Sequence, residues 1–219
     1  HRLVTEGLGV RRLRLVLGNS MGGMHAWLWA TTYPDMMGAV VPMAAQPTAM
    51  AARNWMLRRL LVEGIRQEPA YAGGNYTAPP PSLRLANLFY ATATNGGTLA
   101  MQAAAPTGAA ADALIDARLA APTAADANDF MWQWDASRDY DASAGLGRIR
   151  AAVLAINAAD DERNPPETGL MQAAIARIPT ARLLLIPASV ETRGHGTTGN
   201  AAFWAEALRG FLANLPHAH

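Results

Sequence analysis

The apolar run Leu13-Arg14-Leu15-Val16-Leu17 leads straight into Gly18-Asn19-Ser20-Met21-Gly22. From Met21 to Tyr33 apolar residues recur at helical spacing until Pro34 and Asp35 stop them. A short apolar run ending in glycine reads as a buried strand, and the period that follows reads as a helix. With only a tight turn between them, strand and helix must pack against each other. The same alternation continues with a strand at Ala39 to Met43, ending in the loop Gln46-Pro47-Thr48. It resumes late in the chain with a strand at Ala151 to Ile156, a helix at Glu167 to Ile178, a strand at Arg182 to Ile186 and a helix at Ala201 to Leu212. Alternating strands and helices predict an α/β fold, with a mostly parallel sheet covered by helices on both faces.

Between about Ala49 and Gly145 no strand is predicted. Helical stretches such as Asn54 to Gln67 alternate with breaks at Gly73-Gly74 and Pro79-Pro80-Pro81. The alanine-rich stretch from about Ala100 to Ala127 keeps Leu114, Ile115 and Leu119 at helical spacing, so it is expected to be helix. The predicted organisation is therefore an α/β core from residues 1–46 and 146–219, with residues 47–145 inserted as a helical lid. His1-Arg2-Leu3-Val4 reads as the tail of a helix, without an initiator methionine or a signal peptide, which predicts a further segment upstream.

Composition narrows the function classes. The chain is 51% hydrophobic and 16% charged with a formal net charge of +1, an ordinary soluble balance that implies neither a nucleic acid nor a membrane surface as partner. The compartment is open, with the cytoplasm favoured. There is no cysteine, which excludes disulfides, thiolate metal sites and a cysteine nucleophile. Neither a metal nor an organic cofactor is expected.

Gly18-Asn19-Ser20-Met21-Gly22 fits G-x-S-x-G, in which serine stands on a strained turn between strand and helix. The pentapeptide alone carries little weight; the strand before it and the helix after it are the context the motif requires. A serine hydroxyl needs a base held in place by a carboxylate. Of five histidines, His1, His217 and His219 lie near the termini and His25 lies on the helix after the serine. His195, in the loop Arg193-Gly194-His195-Gly196-Thr197 after a strand, is the candidate base. The strand ending at Ile156 runs into Asn157-Ala158-Ala159-Asp160-Asp161-Glu162, which supplies the acid. Asp161 is preferred for its spacing to Pro165, with Asp160 as the alternative. The order serine, aspartate, histidine is the one found in α/β-hydrolases. The Met21 N–H, at the head of the helix, is the candidate for half of an oxyanion hole.

Gly18-Asn19-Ser20-Met21-Gly22-Gly23-Met24 followed by Tyr33-Pro34-Asp35 resembles the homoserine O-acetyltransferase branch of the α/β-hydrolases. Arg53-Asn54, Ile65 to Pro69 and Gly73-Gly74-Asn75-Tyr76 resemble the start of that branch's lid, and Asp161 to Pro166 its acid loop. The resemblance implies the α/β-hydrolase scaffold and the serine, acid and base. Two positions depart from the transferase pattern: Val62 stands where an arginine is expected, and Gly196 where an aspartate follows the histidine. A valine cannot grip a substrate carboxylate. The expected activity is therefore hydrolysis of an ester, lactone or related acyl substrate. The alternatives are acetyl transfer from acetyl-CoA and a non-catalytic binding module. The resemblance also implies strands ahead of the elbow, and so a separate N-terminal fragment or chain that completes the sheet; without it the first strand is an apolar edge.

Several residues have plainer expectations. Arg11, Arg12, Arg14, Arg58 and Arg59 are expected on solvated faces or in ion pairs. Trp132 and Trp134 are expected in core packing, with an acyl-pocket wall as the alternative. Met21, Met24, Met36 and Met37 are assigned no chemistry.

Overall fold

The computed structural model of the chain describes residues 1–122 and 125–215; His217 and His219 lie outside them. Its strands are β1 (Leu13–Asn19), β2 (Met37–Met43), β3 (Ala152–Ala158) and β4 (Ala181–Ile186). They form one parallel sheet in the order β1-β2-β3-β4. Leu17 lies beside Val41, Val40 beside Val153, and Ile156 beside Leu184. The two inner strands are buried along nearly their whole length, as parallel strands covered on both faces must be. β1 is an edge of the described sheet, and Leu17 on it is 41% exposed.

One face of the sheet is covered by α1 (Met21–Thr32) and α7 (Leu170–Ile175). Met24, Trp27 and Ala30 of α1 pack with Val40, Val153 and Ala155 of the sheet and Met171 of α7. Trp27 is fully buried, and its indole N–H donates to the carbonyl of Ala45 at 2.9 Å. On the other face Phe211 of α8 (Ala205–Ala213) packs with Val41, Met43 and Ile156. Each fully buried aliphatic or aromatic side chain of this kind stabilises the fold by about 1.5–3 kcal/mol.

Between β2 and β3 the chain runs through α2 (Ala52–Arg66), α3 (Pro81–Thr94), α4 (Thr98–Ala104), α5 (Gly108–Ala120) and α6 (Ala127–Asp135). These helices have an apolar cluster of their own, built from Leu61, Val62, Ile65, Leu83, Tyr90, Ala127 and Met131.

Three expectations about helices are corrected. The alanine-rich stretch is two helices rather than one, because Pro106 cannot donate to a preceding turn. α5 then starts afresh with Thr107 Oγ accepting from the Ala110 N–H at 3.2 Å. The expected helix at Glu167 to Ile178 is broken at Gly169, which takes φ 68° between a short turn and α7. The last helix starts at Ala205 rather than Ala201, after a single turn over Ala201–Phe203.

Candidate active site

Ser20 joins β1 to α1 and has φ 55° and ψ −115°, a conformation that costs a non-glycine residue about 1–3 kcal/mol. It is held there from both sides. Its N–H donates to the Met43 carbonyl at 2.8 Å, extending the sheet ladder by one bond, and its carbonyl accepts from the Met24 N–H at 3.0 Å in the first turn of α1. The turn brings backbone against backbone. A Cβ at Gly18 would overlap the Gly22 carbonyl, and one at Gly23 would lie 2.6 Å from the Met43 carbonyl oxygen. At Gly22 an added Cβ meets nothing within 4 Å. The second glycine with a steric reason is thus Gly23, outside the pentapeptide. Met21 occupies the first position of α1, where an N–H has no acceptor within the helix.

His195 lies in the loop that follows β4. Ser20 Oγ is 2.7 Å from His195 Nε2, and His195 Nδ1 is 3.1 Å and 3.0 Å from the two carboxylate oxygens of Asp161. A carboxylate only accepts, so Nδ1 carries the proton and donates, which leaves Nε2 to accept from the serine hydroxyl. Asp161 is 1% exposed and fully committed: Oδ1 accepts from the Arg163 N–H at 2.9 Å, and Oδ2 from the Asn164 side-chain amide at 2.9 Å. The structure therefore brings together Ser20, His195 and Asp161. Asp160 does not reach the imidazole; its Oδ2 accepts from Thr192 Oγ at 2.6 Å. His25 is exposed on α1.

Three residues that sequence reasoning did not single out hold this arrangement. Asn164 donates to the Ala44 carbonyl at 3.0 Å, accepts from the Gln46 N–H at 3.1 Å, and through its own carbonyl accepts from Asn157 at 2.8 Å. It ties the acid loop to the ends of β2 and β3. Arg163 points into the helical segment, where its guanidinium lies 4.6 Å from the Tyr90 ring centre and 5.2 Å from that of Trp134, and its Nε donates to Thr94 Oγ at 3.0 Å. Thr94, the last residue of α3, also offers its carbonyl to the His195 N–H at 3.4 Å. No local sequence pattern marks these three, since each has partners in segments distant along the chain.

Arg58 corrects an expectation: it is 4% exposed, stacked 5.0 Å from the Trp134 ring, with Nε on Asn54 at 2.9 Å and Nη1 on Ser137 at 2.8 Å. Burial lowers the pKa of both Arg58 and Arg163, and burial raises that of the Tyr90 phenol near them. Aromatic faces and neutral hydrogen-bond acceptors take the place of water around these two cations. Arg59 pairs with Glu63 at 3.1 Å, and Arg11, Arg12 and Arg14 are exposed, as expected. Trp134 packs in the helical cluster, whereas Trp132 is 77% exposed and stands outside it, against the expectation of core packing.

Among the described residues no group of three or more histidine, aspartate or glutamate side chains is placed to hold a metal ion, and no helix is long and apolar enough to cross a membrane. A histidine that accepts from a serine and donates to a buried carboxylate can raise the nucleophilicity of that serine.

Comparison with known proteins agrees with this architecture. A homoserine O-succinyltransferase of Magnetococcus marinus is 41% identical over 80 residues, which is 36% of this chain and 20% of that protein. The crystal structure of homoserine O-acetyltransferase from Bacillus anthracis superposes with a TM-score of 0.80 at 20% identity, covering 99% of this chain and 64% of that one. An acetylester hydrolase from Corynebacterium glutamicum superposes with a TM-score of 0.73 at 20% identity, covering 97% of this chain and 64% of that one. The chain thus spans less than two thirds of the length of each of these proteins. Residues 1–189 match the family described as alpha/beta hydrolase fold, and the chain belongs to that family.

Proposed function

We propose that the protein is a serine hydrolase that cleaves an ester, lactone or related acyl substrate through an acyl-enzyme. The observation that carries this reading is the 2.7 Å contact between Ser20 Oγ and the Nε2 of a histidine whose Nδ1 rests on buried Asp161. In the first step Oγ bonds to the acyl carbon as its proton passes to Nε2, and the carbonyl oxygen becomes an oxyanion beside the Met21 N–H. The carbon–oxygen bond to the leaving group then breaks, and the imidazolium returns its proton to the departing alkoxide. Water repeats the sequence on the acyl-enzyme and restores Ser20. Asp161 keeps the imidazole in the tautomer that can accept, and steadies its charged form. Helices α2 to α6 serve as the lid, and further strands from an N-terminal fragment or chain pair with the edge of β1. No cofactor enters the reaction.

The names of the relatives favour a second reading, transfer of an acyl group to an alcohol such as homoserine. It shares the first half of the reaction. Against it stands Val62, an apolar side chain buried in the helical cluster, which offers a substrate carboxylate no charge. Hydrolysis of p-nitrophenyl acetate with and without homoserine separates the two: release without homoserine supports hydrolysis, and strong dependence on it supports transfer. If Ser20 resists a fluorophosphonate probe with the upstream segment present, both fail in favour of a non-catalytic binding module.

A further inference from the structure

We infer that Asp160 is a positioning residue for His195, acting through Thr192 and Gly194; the inference rests on the hydrolase reading of Ser20 and His195. Asp160 and Asp161 leave β3 side by side, and their carboxylates serve different ends of one loop. Asp161 takes the imidazole. Asp160 Oδ2 accepts from the Thr192 hydroxyl at 2.6 Å and lies 3.3 Å from the Gly194 N–H, immediately before the histidine.

Other bonds hold the loop further on, with the Arg193 carbonyl accepting from the Gly96 N–H at 3.0 Å and the Arg193 N–H donating to Thr197 Oγ at 2.8 Å, but at its start the Asp160 carboxylate reaches both Thr192 and Gly194. Thr192 is completely buried, and its hydroxyl has one proton to give. The Ser189 carbonyl lies 2.8 Å away and competes for it, but the contact to the Asp160 carboxyl oxygen is the shorter. The oxygen of the same hydroxyl accepts from the Ser189 N–H at 3.0 Å, so Thr192 closes the turn that starts the loop. Gly194 then takes φ 54° in a crowded place: a Cβ there would lie 3.1 Å from the Gly97 nitrogen and 3.2 Å from the Asp160 carbonyl oxygen. A left-handed residue clamped in this way sets the direction in which the next side chain leaves. The Asp160 carboxylate is thus a peg on which residues 192 to 194 hang, and the imidazole reaches Ser20 because that peg sets its height.

Misplacing a reacting group by about 1 Å lowers turnover by about a hundredfold, with little effect on substrate binding. Replacing Asp160→Asn or Thr192→Val in the full chain should therefore lower kcat on an activated ester by about ten- to a hundredfold and leave KM unchanged. Thr192→Ser, which keeps the hydroxyl, should restore kcat, and the double variant Asp160→Asn/Thr192→Val should be no slower than the slower single one. Loss of activity in Thr192→Ser equal to that in Thr192→Val would overturn the inference, as would full activity in Asp160→Asn. The Nδ1–H proton resonance of His195 reads the loop without any reaction: it should shift or broaden in Asp160→Asn. An unchanged resonance overturns the positioning role whatever the activity. A resonance that responds in a protein whose Ser20 never reacts with a fluorophosphonate overturns the hydrolase reading and upholds the positioning one.

Discussion

Arg163 Nε donates to the hydroxyl of Thr94 at 3.0 Å, which fastens the loop carrying Asp161 to the last turn of α3. The same arginine donates its backbone N–H to Asp161, and Thr94 accepts from the backbone of His195. Acid and base thus share one anchor in the helical segment.

Removing that anchor should loosen both loops. Arg163→Ala is expected to lower stability by about 2 kcal/mol, from the lost stacking on Tyr90 and Trp134 and the lost cover of the aliphatic stem. Arg163→Lys should recover only part of it, because an ammonium lacks the planar fork. Urea unfolding midpoints of the three proteins check the order.

The two neighbouring aspartates should separate kinetically. Asp161→Asn should lower kcat by about four orders of magnitude, since an amide can hold the wrong imidazole tautomer, and should also lower the melting temperature, because its nitrogen would face one of the donors that now reach the carboxylate. Asp160→Asn should fall far less. Steady-state rates on one ester, measured for both proteins, decide it.

The elbow glycines should differ in tolerance. Gly18→Ala drives a methyl group into the Gly22 carbonyl and is expected to destabilise the fold by about 3 kcal/mol or more. Gly22→Ala meets open space within a helix and should be neutral or stabilising by up to about 1 kcal/mol. Ser20→Gly should be more stable than Ser20→Ala, because glycine relieves the strain at φ 55°, and both should be inactive. Calorimetric melting of the four variants tests the three orders of stability, and ester hydrolysis by the two Ser20 variants tests the loss of activity.

One acid-sensitive contact lies in the helical segment. The Tyr76 hydroxyl, then the Asp129 N–H, hold the Asp126 carboxyl below its usual range. A depressed carboxylate pKa stabilises the fold above the unfolded-state value of about 3.9, and that contribution disappears as pH falls through the folded-state value. The stability difference between the parent chain and Tyr76→Phe should therefore shrink between about pH 5 and about pH 2. Denaturant titrations at several pH values measure it.

What could be read from the chain was whatever is local. Leu13 to Leu17 and the helical period after Ser20 disclose a strand and a helix because side-chain spacing is set by each element's own geometry. Pro106 carried the signal that the alanine-rich stretch is interrupted, and helical spacing alone concealed it. The spacing to Pro165 pointed to Asp161 over Asp160, but the different tasks of the two were beyond local reading: both follow the same strand, and their partners arrive from residues 192 to 195. Arg58 and Arg163 were hidden for the same reason. A charged residue looks solvated until Tyr90 and Trp134, far away in sequence, close around it.

Ser20 and His195 stand 175 positions apart, with the helical segment and three strands between them. Closing so long a loop costs entropy that the assembled sheet must offset, so the 2.7 Å contact between hydroxyl and imidazole depends on the packed sheet. A chain in which those segments have not met carries at position 20 an alcohol with no base beside it. On the proposed hydrolase reading, reactivity at that one oxygen would report whether these distant segments have come together.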